Sequence, residues 1–216
     1  MPSHVQQLSA TFMNSITPRS NSRCAAAPAV VRVARSLSTR MIHLLLLLSV
    51  LHQLIGSEFM QRPFPGEPPA WPYSLHEYIG LSSLGTVGAF WVWTIVRHGE
   101  TRLARLIPWF SIARLQDVAA DLAMQFRRLS RGNLPDDEDG AFASAIHGLG
   151  LLAVTAMAMT GSVFFVTHGT SLAHTALSLH KLIANLVWVY LFAHAGVAVL
   201  HYLLGSDILS RMFWTR

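Results

Sequence analysis

The chain has 216 residues, of which 52% are hydrophobic and only 12% are charged, and its mean hydropathy is +0.40. This composition excludes an ordinary soluble domain and indicates an integral membrane protein. The net charge of +5 does not indicate nucleic-acid binding, because the basic residues flank apolar runs instead of forming a stripe. The single cysteine, Cys24, excludes an intrachain disulfide and any cysteine-based zinc or iron–sulfur site.

Residues 1–39 differ in composition from the rest of the chain. They are rich in Ser, Ala and Arg and contain no Asp or Glu. Such a segment is typical of a disordered tail or of an organellar transit peptide, and a third interpretation is that translation begins later, for example at Met41. We favour a disordered tail or a wrongly assigned start, and we expect residues 40–213 to form one membrane domain.

Four apolar runs follow, and each can be completed as a helix long enough to cross a hydrocarbon core of about 30 Å. We predict spans at about 41–60, 73–96, 143–167 and 177–205. A signal peptide is the competing interpretation of the first run. It is disfavoured because no small-residue cleavage site precedes Glu58 and the run contains two histidines. The proline-rich linker at residues 57–72 is too broken to be helical.

The longest polar segment, residues 97–140, separates the second run from the third. Six apolar residues recur there at helical spacing, which predicts an amphipathic helix on the membrane surface. They are Ile112, Leu115, Val118, Leu122, Phe126 and Leu129. The acidic cluster at residues 136–139 is compatible with a metal site. A solvated loop is the favoured interpretation, because the cluster lacks the alternating spacing of an EF-hand loop.

Arginine and lysine are distributed unevenly between the segments outside the spans. The segment ending at Arg40 has five, the long loop has seven and the C-terminal tail has two, whereas the other two loops have one and none. Because basic residues mark cytoplasmic segments, both termini and the long loop are predicted to be cytoplasmic. The predicted fold class is all-α: an integral membrane four-helix bundle, N-in and C-in, with an amphipathic helix in the cytoplasmic loop between spans 2 and 3.

Histidines occur in these spans at two depths. His180 and His194 are 14 residues apart, which on a helix puts them about 40° apart on one face and about 21 Å apart along the axis. In the predicted topology His76 lies with His180 on the outer side, and His43 lies with His194 or His201 on the inner side. Two pairs of imidazoles at two depths on facing helices are what two stacked haems need. The competing use of any one membrane histidine is a hydrogen bond between helices or a proton relay.

The other histidines are less informative. His52 lies about 180° around its helix from His43, so the two cannot face the same partner. His98, His168 and His174 are expected in loops or at span boundaries. Since the sequence has no Cys-x-x-Cys-His motif, any haem is predicted to be b-type and non-covalent.

The stretch LHKLIANLVWVYLFAHAGVAVLHYLLGSDILSRM resembles the last helix of the bacterial cytochrome b561 family. RMIHLLLLLSVLHQLIG and LHEYIGL resemble the starts of its first two helices, so the resemblance covers roughly residues 38–213. It implies that the iron ligands come from the first, second and fourth spans: His43 with His194 on an inner haem, and His76 with His180 on an outer haem. It also implies that His147, on the third span, is not a ligand.

Relatives in this family include quinone-reducing diheme cytochromes, a branch that oxidises superoxide, and cytochrome b subunits of hydrogenases and formate dehydrogenases. The sequence departs from the superoxide-oxidising branch in its long middle loop and its nearly uncharged loop between spans three and four. The resemblance therefore implies a diheme b-type cytochrome of the bacterial inner membrane. It would carry electrons across the bilayer between a redox partner and the quinone pool.

Quinone is the expected partner on the lipid side, and a soluble or periplasmic redox subunit is a further candidate partner. His147, His201 and Arg211 are candidates for proton donation or for contact with a quinone headgroup. One alternative is a membrane anchor and electron conduit for a soluble dehydrogenase or hydrogenase. Another is a haem-free, histidine-rich transporter. Whether the electron-transfer protein is itself a quinone-linked oxidoreductase is left open by the sequence.

Overall fold

The computed structural model describes residues 35–61, 63–64, 66–97, 102–132, 140–205 and residue 212. Within these residues the chain forms six α-helices and no strand. The helices are α1 (Leu37–Ser57), α2 (Trp71–Val96), α3 (Leu103–Leu106), α4 (Ile112–Leu129), α5 (Ala141–Val166) and α6 (Ser171–Leu203). Four of them, α1, α2, α5 and α6, are long and apolar enough to cross a membrane. The predicted all-α architecture with four spans is confirmed.

Some of the sequence predictions concern residues outside the described part of the chain. These are residues 1–34 of the tail, the acidic cluster at 136–139, His98 and Arg211.

The largest difference from the predicted spans is at the start of α6. This helix begins at Ser171, six residues before the predicted 177, because the Thr170 hydroxyl caps it by accepting the Ala173 N–H at 3.3 Å. The hydropathy pattern marked only the apolar part of the helix. His174 consequently lies in the first turn of α6.

Helices α1 and α2 pack antiparallel and are tied together at both ends. The indole N–H of Trp93, near the end of α2, donates to the buried hydroxyl of Thr39 at the start of α1. At the other end of the pair, the Gln53 side-chain amide donates to the carbonyl of His76 at 2.8 Å. Hydrogen bonds of this kind between spans contribute on average about 0.6 kcal/mol each.

Small residues on α5 let the other helices approach it closely. A Cβ at Gly148 would overlap the backbone carbonyl of Leu106 in α3, and a Cβ at Gly150 would overlap the ring of Tyr190 in α6. On the α2 side, the indole N–H of Trp91 donates to the Thr155 hydroxyl at 3.0 Å. Helices α2, α3 and α6 thus all pack against α5.

Helix α4 is fixed to the start of α5 by a carboxylate. Asp121 is buried, and its Oδ2 accepts the backbone N–H of Phe142 at 2.9 Å while its Oδ1 accepts the side-chain amide of Gln125. An acceptor at this place satisfies one of the unpaired N–H groups of the first turn of α5 and complements the helix dipole. The apolar side chains Ile112, Phe126 and Leu129 of α4 remain exposed.

Candidate functional site

Two histidines from α2 and α6 meet inside the bundle. The ring centres of His76 and His180 are 6.3 Å apart, and their planes are nearly perpendicular, at 83°. Pro72 lies in the first turn of α2, where a backbone N–H has no acceptor within the helix, so its missing N–H removes no helical hydrogen bond. Because α2 begins at Trp71, His76 lies in its second turn. We call the end of the bundle that holds Ser57 and Trp71 the outer end and the opposite end the inner end, after the predicted orientation. The His76–His180 pair lies towards the outer end.

A cavity of about 330 Å³ surrounds this pair, and all four spans contribute to its wall. Its volume is in the range of small-molecule and cofactor sites, which are mostly apolar with a few convergent polar groups. The apolar lining includes Val50, Leu54, Val154, Met157 and Leu177. Gln53, Glu77 and Lys181 add polar groups to the wall. The cavity therefore has the composition of a site for a large apolar cofactor.

The ring of His180 is oriented by α5. Its Nδ1 lies 3.1 Å from the carbonyl oxygen of Met157 and 3.2 Å from the hydroxyl oxygen of Thr160. Because a carbonyl oxygen only accepts hydrogen bonds, the proton of the neutral ring is assigned to Nδ1. The Nε2 atom of His180 is then the unprotonated nitrogen, which is the form that binds a metal ion.

The outer pair was predicted to bind a haem iron, and its spacing fits that role. Bonds between a metal and imidazole nitrogen are about 2 Å long, so two imidazoles on opposite sides of one metal ion have ring centres about 6 Å apart. The observed 6.3 Å agrees with this separation. In addition, the Nδ1 atom of His76 is buried without a hydrogen-bond partner among the described residues. The residues present therefore fit a haem held between α2 and α6.

A second group of histidines lies nearer the inner end. The ring centres of His147 and His194 are 5.1 Å apart, and the ring of Tyr190 stacks on His194 at 5.3 Å. His43 is close enough to His194 for electrostatic interaction, and its Nδ1 is buried without a partner among the described residues. At this level His194 is central, with His43 and His147 as its histidine neighbours.

His147 differs from His43 in its local contacts. Its Nδ1 lies 2.8 Å from the carbonyl oxygen of Ala143, one turn earlier in α5, so the ring donates that hydrogen bond. The 5.1 Å between His147 and His194 is also shorter than two imidazoles on one metal ion need. The short separation of the two rings, and not the hydrogen bond, therefore argues against one metal ion between His147 and His194.

The remaining predicted residues are dispersed. His201 is half-buried and lies seven residues after His194 on α6. His52 is within electrostatic reach of His76, so it lies near the outer pair. His168 lies in the turn between α5 and α6, with its ring 4.8 Å from that of Phe164.

Sequence reasoning did not identify Tyr190, Thr160 or Gly161 as parts of the site. Tyr190 precedes His194 by four residues, so helical spacing already places both on one face. Thr160 and Gly161 lie on the span with no predicted ligand, and only the packing of α5 against α6 brings them to His180. Within the described residues no group of three or more His, Cys, Asp or Glu side chains is placed to hold a metal ion.

Comparison with known proteins identifies the family of the chain. A family model described as prokaryotic cytochrome b561 matches residues 34–215. No curated protein and no solved structure gives a match.

Proposed function

The chain belongs to the prokaryotic cytochrome b561 family and is thus a multi-pass bacterial membrane cytochrome, and we propose that it carries electrons across the membrane through two b-type haems. The observation that carries the proposal is the 6.3 Å separation of His76 and His180 across a cavity bounded by all four spans. His76 and His180 would hold the outer haem. His43 and His194 would hold the inner haem.

The positions of the four histidines match a path through the bilayer. His180 and His194 are 14 residues apart on one helix, which separates the two levels by about 21 Å along the axis. Each bound haem would supply a one-electron iron centre. Because two histidine side chains would hold each haem, the iron would have no position free for oxygen, and this would favour electron transfer over oxygen chemistry.

Quinone is the partner proposed at the inner end. His147 uses its Nδ1–H on its own helix, so its Nε2 is available to accept a hydrogen bond from a quinol hydroxyl beside His194. His201 is half-buried about two turns further along α6 than His194 and would contact the headgroup or pass a proton. Arg211, the third candidate, lies outside the described residues. A soluble or periplasmic redox protein is the proposed partner at the other membrane face.

The proposed orientation puts both termini and α4 on the cytoplasmic side of the bacterial inner membrane. Supporting this, α4 combines exposed apolar side chains with Arg114, Arg127 and Arg128, the composition of a helix that lies in the interface of an anionic membrane. Its attachment to Phe142 at the start of α5 keeps it at the level where that span begins.

Electron transfer across the bilayer can be measured directly in proteoliposomes. Ferricyanide is trapped inside the vesicles, a membrane-impermeant reductant is added outside, and bleaching of the trapped ferricyanide is followed. We expect the wild type to reduce it many times faster than protein-free vesicles. The His76→Ala variant should approach the protein-free rate, while His174→Ala, altered at an exposed site on α6, should match the wild type. A wild-type rate equal to that of protein-free vesicles would contradict transmembrane transfer.

The quinone proposal needs a separate measurement. The purified protein is reduced and mixed with a soluble quinone analogue, and reoxidation of the haem absorbance is followed. We expect His147→Ala to slow reoxidation without changing the haem content. Equal rates in the variant and the wild type would remove His147 from the proposed quinone site.

A further inference from the structure

The third span, α5, carries none of the four proposed ligands, yet its stretch from Met157 to Gly161 packs directly against His180. Two oxygens of this stretch lie within 3.2 Å of one ring nitrogen of His180. They are the carbonyl oxygen of Met157 and the hydroxyl oxygen of Thr160. Helix α5 therefore contributes to the outer site by contacting His180, the proposed ligand on α6.

The direction of these hydrogen bonds can be derived from the groups involved. The hydroxyl of Thr160 has a carbonyl acceptor of its own, since its oxygen is 2.7 Å from the carbonyl oxygen of Ala156. Its single proton is used there, so its lone pairs are free to accept from His180. Met157 offers only an acceptor. Both contacts therefore draw on the same Nδ1–H of His180.

Gly161 makes this approach of the two helices possible. A Cβ built at Gly161 would lie 3.1 Å from Cε1 and 3.4 Å from Nδ1 of His180. The first distance is tighter than about nine in ten real contacts of a Cβ atom, so an added methyl group would shift the ring by a few tenths of an ångström. The absence of a side chain at Gly161 thus allows the ring to sit against the α5 backbone.

The other three proposed ligands are held differently. The Nδ1 atoms of His43 and His76 are buried without a partner among the described residues. The ring of His194 contacts the rings of Tyr190 and His147. Two acceptors on one ring nitrogen are thus a feature of His180 among the four proposed ligands.

We propose that Thr160 is a positioning residue for the outer haem: with the carbonyl of Met157 it fixes the tautomer of His180 and increases the electron donation from its Nε2 atom. This inference rests on the proposed haem-binding function. A metal-bound imidazole that donates its other N–H to an oxygen is a stronger ligand. Stronger axial donation stabilises the ferric state, so these hydrogen bonds lower the reduction potential of the outer haem.

The test is a spectroscopic redox titration of purified wild-type protein and of Thr160→Val, which keeps the shape and removes the acceptor. We expect the reduction potential of the outer haem to rise in Thr160→Val. At a fixed applied potential, the ratio of oxidised to reduced outer haem should fall about threefold. For a one-electron couple this equals roughly 30 mV. The inner-haem couple should stay in place. Thr160→Ser keeps the oxygen and should titrate like the wild type.

A matched control lies at Thr167, which caps the C-terminal end of α5. Its hydroxyl donates to the carbonyl of Val163, so Thr167→Val removes a similar hydroxyl about two helical turns beyond Thr160. It should leave both couples unchanged. The outer couple is identified independently as the one lost in His76→Ala.

A second variant covers the case in which Thr160→Val does not fold. Gly161→Ala should alter the low-spin electron paramagnetic resonance signal of the outer haem, because the new methyl group displaces the His180 ring. Gly85→Ala is its control, since a Cβ at Gly85 meets nothing within 4 Å.

The outcomes separate this inference from the function on which it rests. A wild type without haem would refute the proposed function itself. A wild type with two haems, in which Thr160→Val leaves the outer couple unmoved or shifts both couples equally, would overturn the role of Thr160 alone. An unaltered outer signal in a folded Gly161→Ala variant would show that the His180 ring is not held against this stretch of α5, and the role of Thr160 would be overturned with that contact.

Discussion

The ring of Tyr190 lies stacked on the ring of His194, with centres 5.3 Å apart and planes only 9° apart. The two residues are one turn apart on α6, and Gly150 on α5 provides the space that the Tyr190 ring occupies. The proposed inner ligand is therefore oriented by an aromatic side chain of its own helix. The proposed outer ligand, His180, is oriented by oxygens of α5.

The Tyr190 stack gives a first prediction. Tyr190→Leu removes the aromatic face beside His194, so the ring loses its support and the signal of the inner haem should change in electron paramagnetic resonance. Tyr190→Phe keeps the face and should resemble the wild type. An unchanged inner signal in Tyr190→Leu would show that the stack does not orient His194.

The outer pair gives a second prediction. His76→Ala and His180→Ala should each reduce the haem content from two per chain to one, because an imidazole is removed from the same iron. Haem extracted and quantified per chain is the measurement, and His52→Ala is the matched control, with both haems expected to remain. Full haem content in both outer variants would refute the pairing of His76 with His180.

A third prediction distinguishes the two histidine neighbours of His194. His43→Ala should remove the inner haem, whereas His147→Ala should retain both haems, because the ring of His147 lies too near that of His194 for both to bind one metal ion. Haem content decides between them. The reverse result, with the inner haem lost only in His147→Ala, would assign the ligand to α5.

Close packing on α5 gives a fourth prediction. Gly148→Ala forces a methyl group onto the backbone carbonyl of Leu106, and such overpacking costs about 1 to 3 kcal/mol. We expect a lower midpoint of thermal unfolding in detergent. Gly85→Ala, placed in open space, is the control, and equal midpoints for the two variants would contradict the close contact between α3 and α5.

The attachment of α4 gives a fifth prediction. Asp121→Ala leaves the Phe142 N–H at the start of α5 without its acceptor and should cost about 1 to 3 kcal/mol. Limited proteolysis in the segment around α4 should become faster. Asp117→Ala, at an exposed position of the same helix, should digest like the wild type, and similar digestion of both variants would argue against the anchor.

The sequence predicted the spans because apolar length is a direct requirement of the bilayer. It predicted α4 from the spacing of Ile112, Leu115 and Phe126, and the helix runs from Ile112 to Leu129. It missed the start of α6, because the capping hydroxyl of Thr170 lies upstream of the apolar run.

Histidine depth was also readable from the sequence, since the distance along a helix follows from residue number. This predicted that His76 and His180 lie at one level, and their ring centres are 6.3 Å apart. The sequence could not show that Thr160 and Gly161 face His180, because that depends on how α5 is rotated against α6. It placed His147 near the inner surface, as a non-ligand and a candidate proton donor or quinone contact, but it could not show that its ring lies beside His194.

The most direct test of the central claim is the haem content of the purified protein, measured with a reduced-minus-oxidised visible spectrum. Two b-type haems per chain are predicted, one for each level of histidines. A protein that folds in detergent but contains no haem would contradict the account, and a single haem would contradict transfer through two centres.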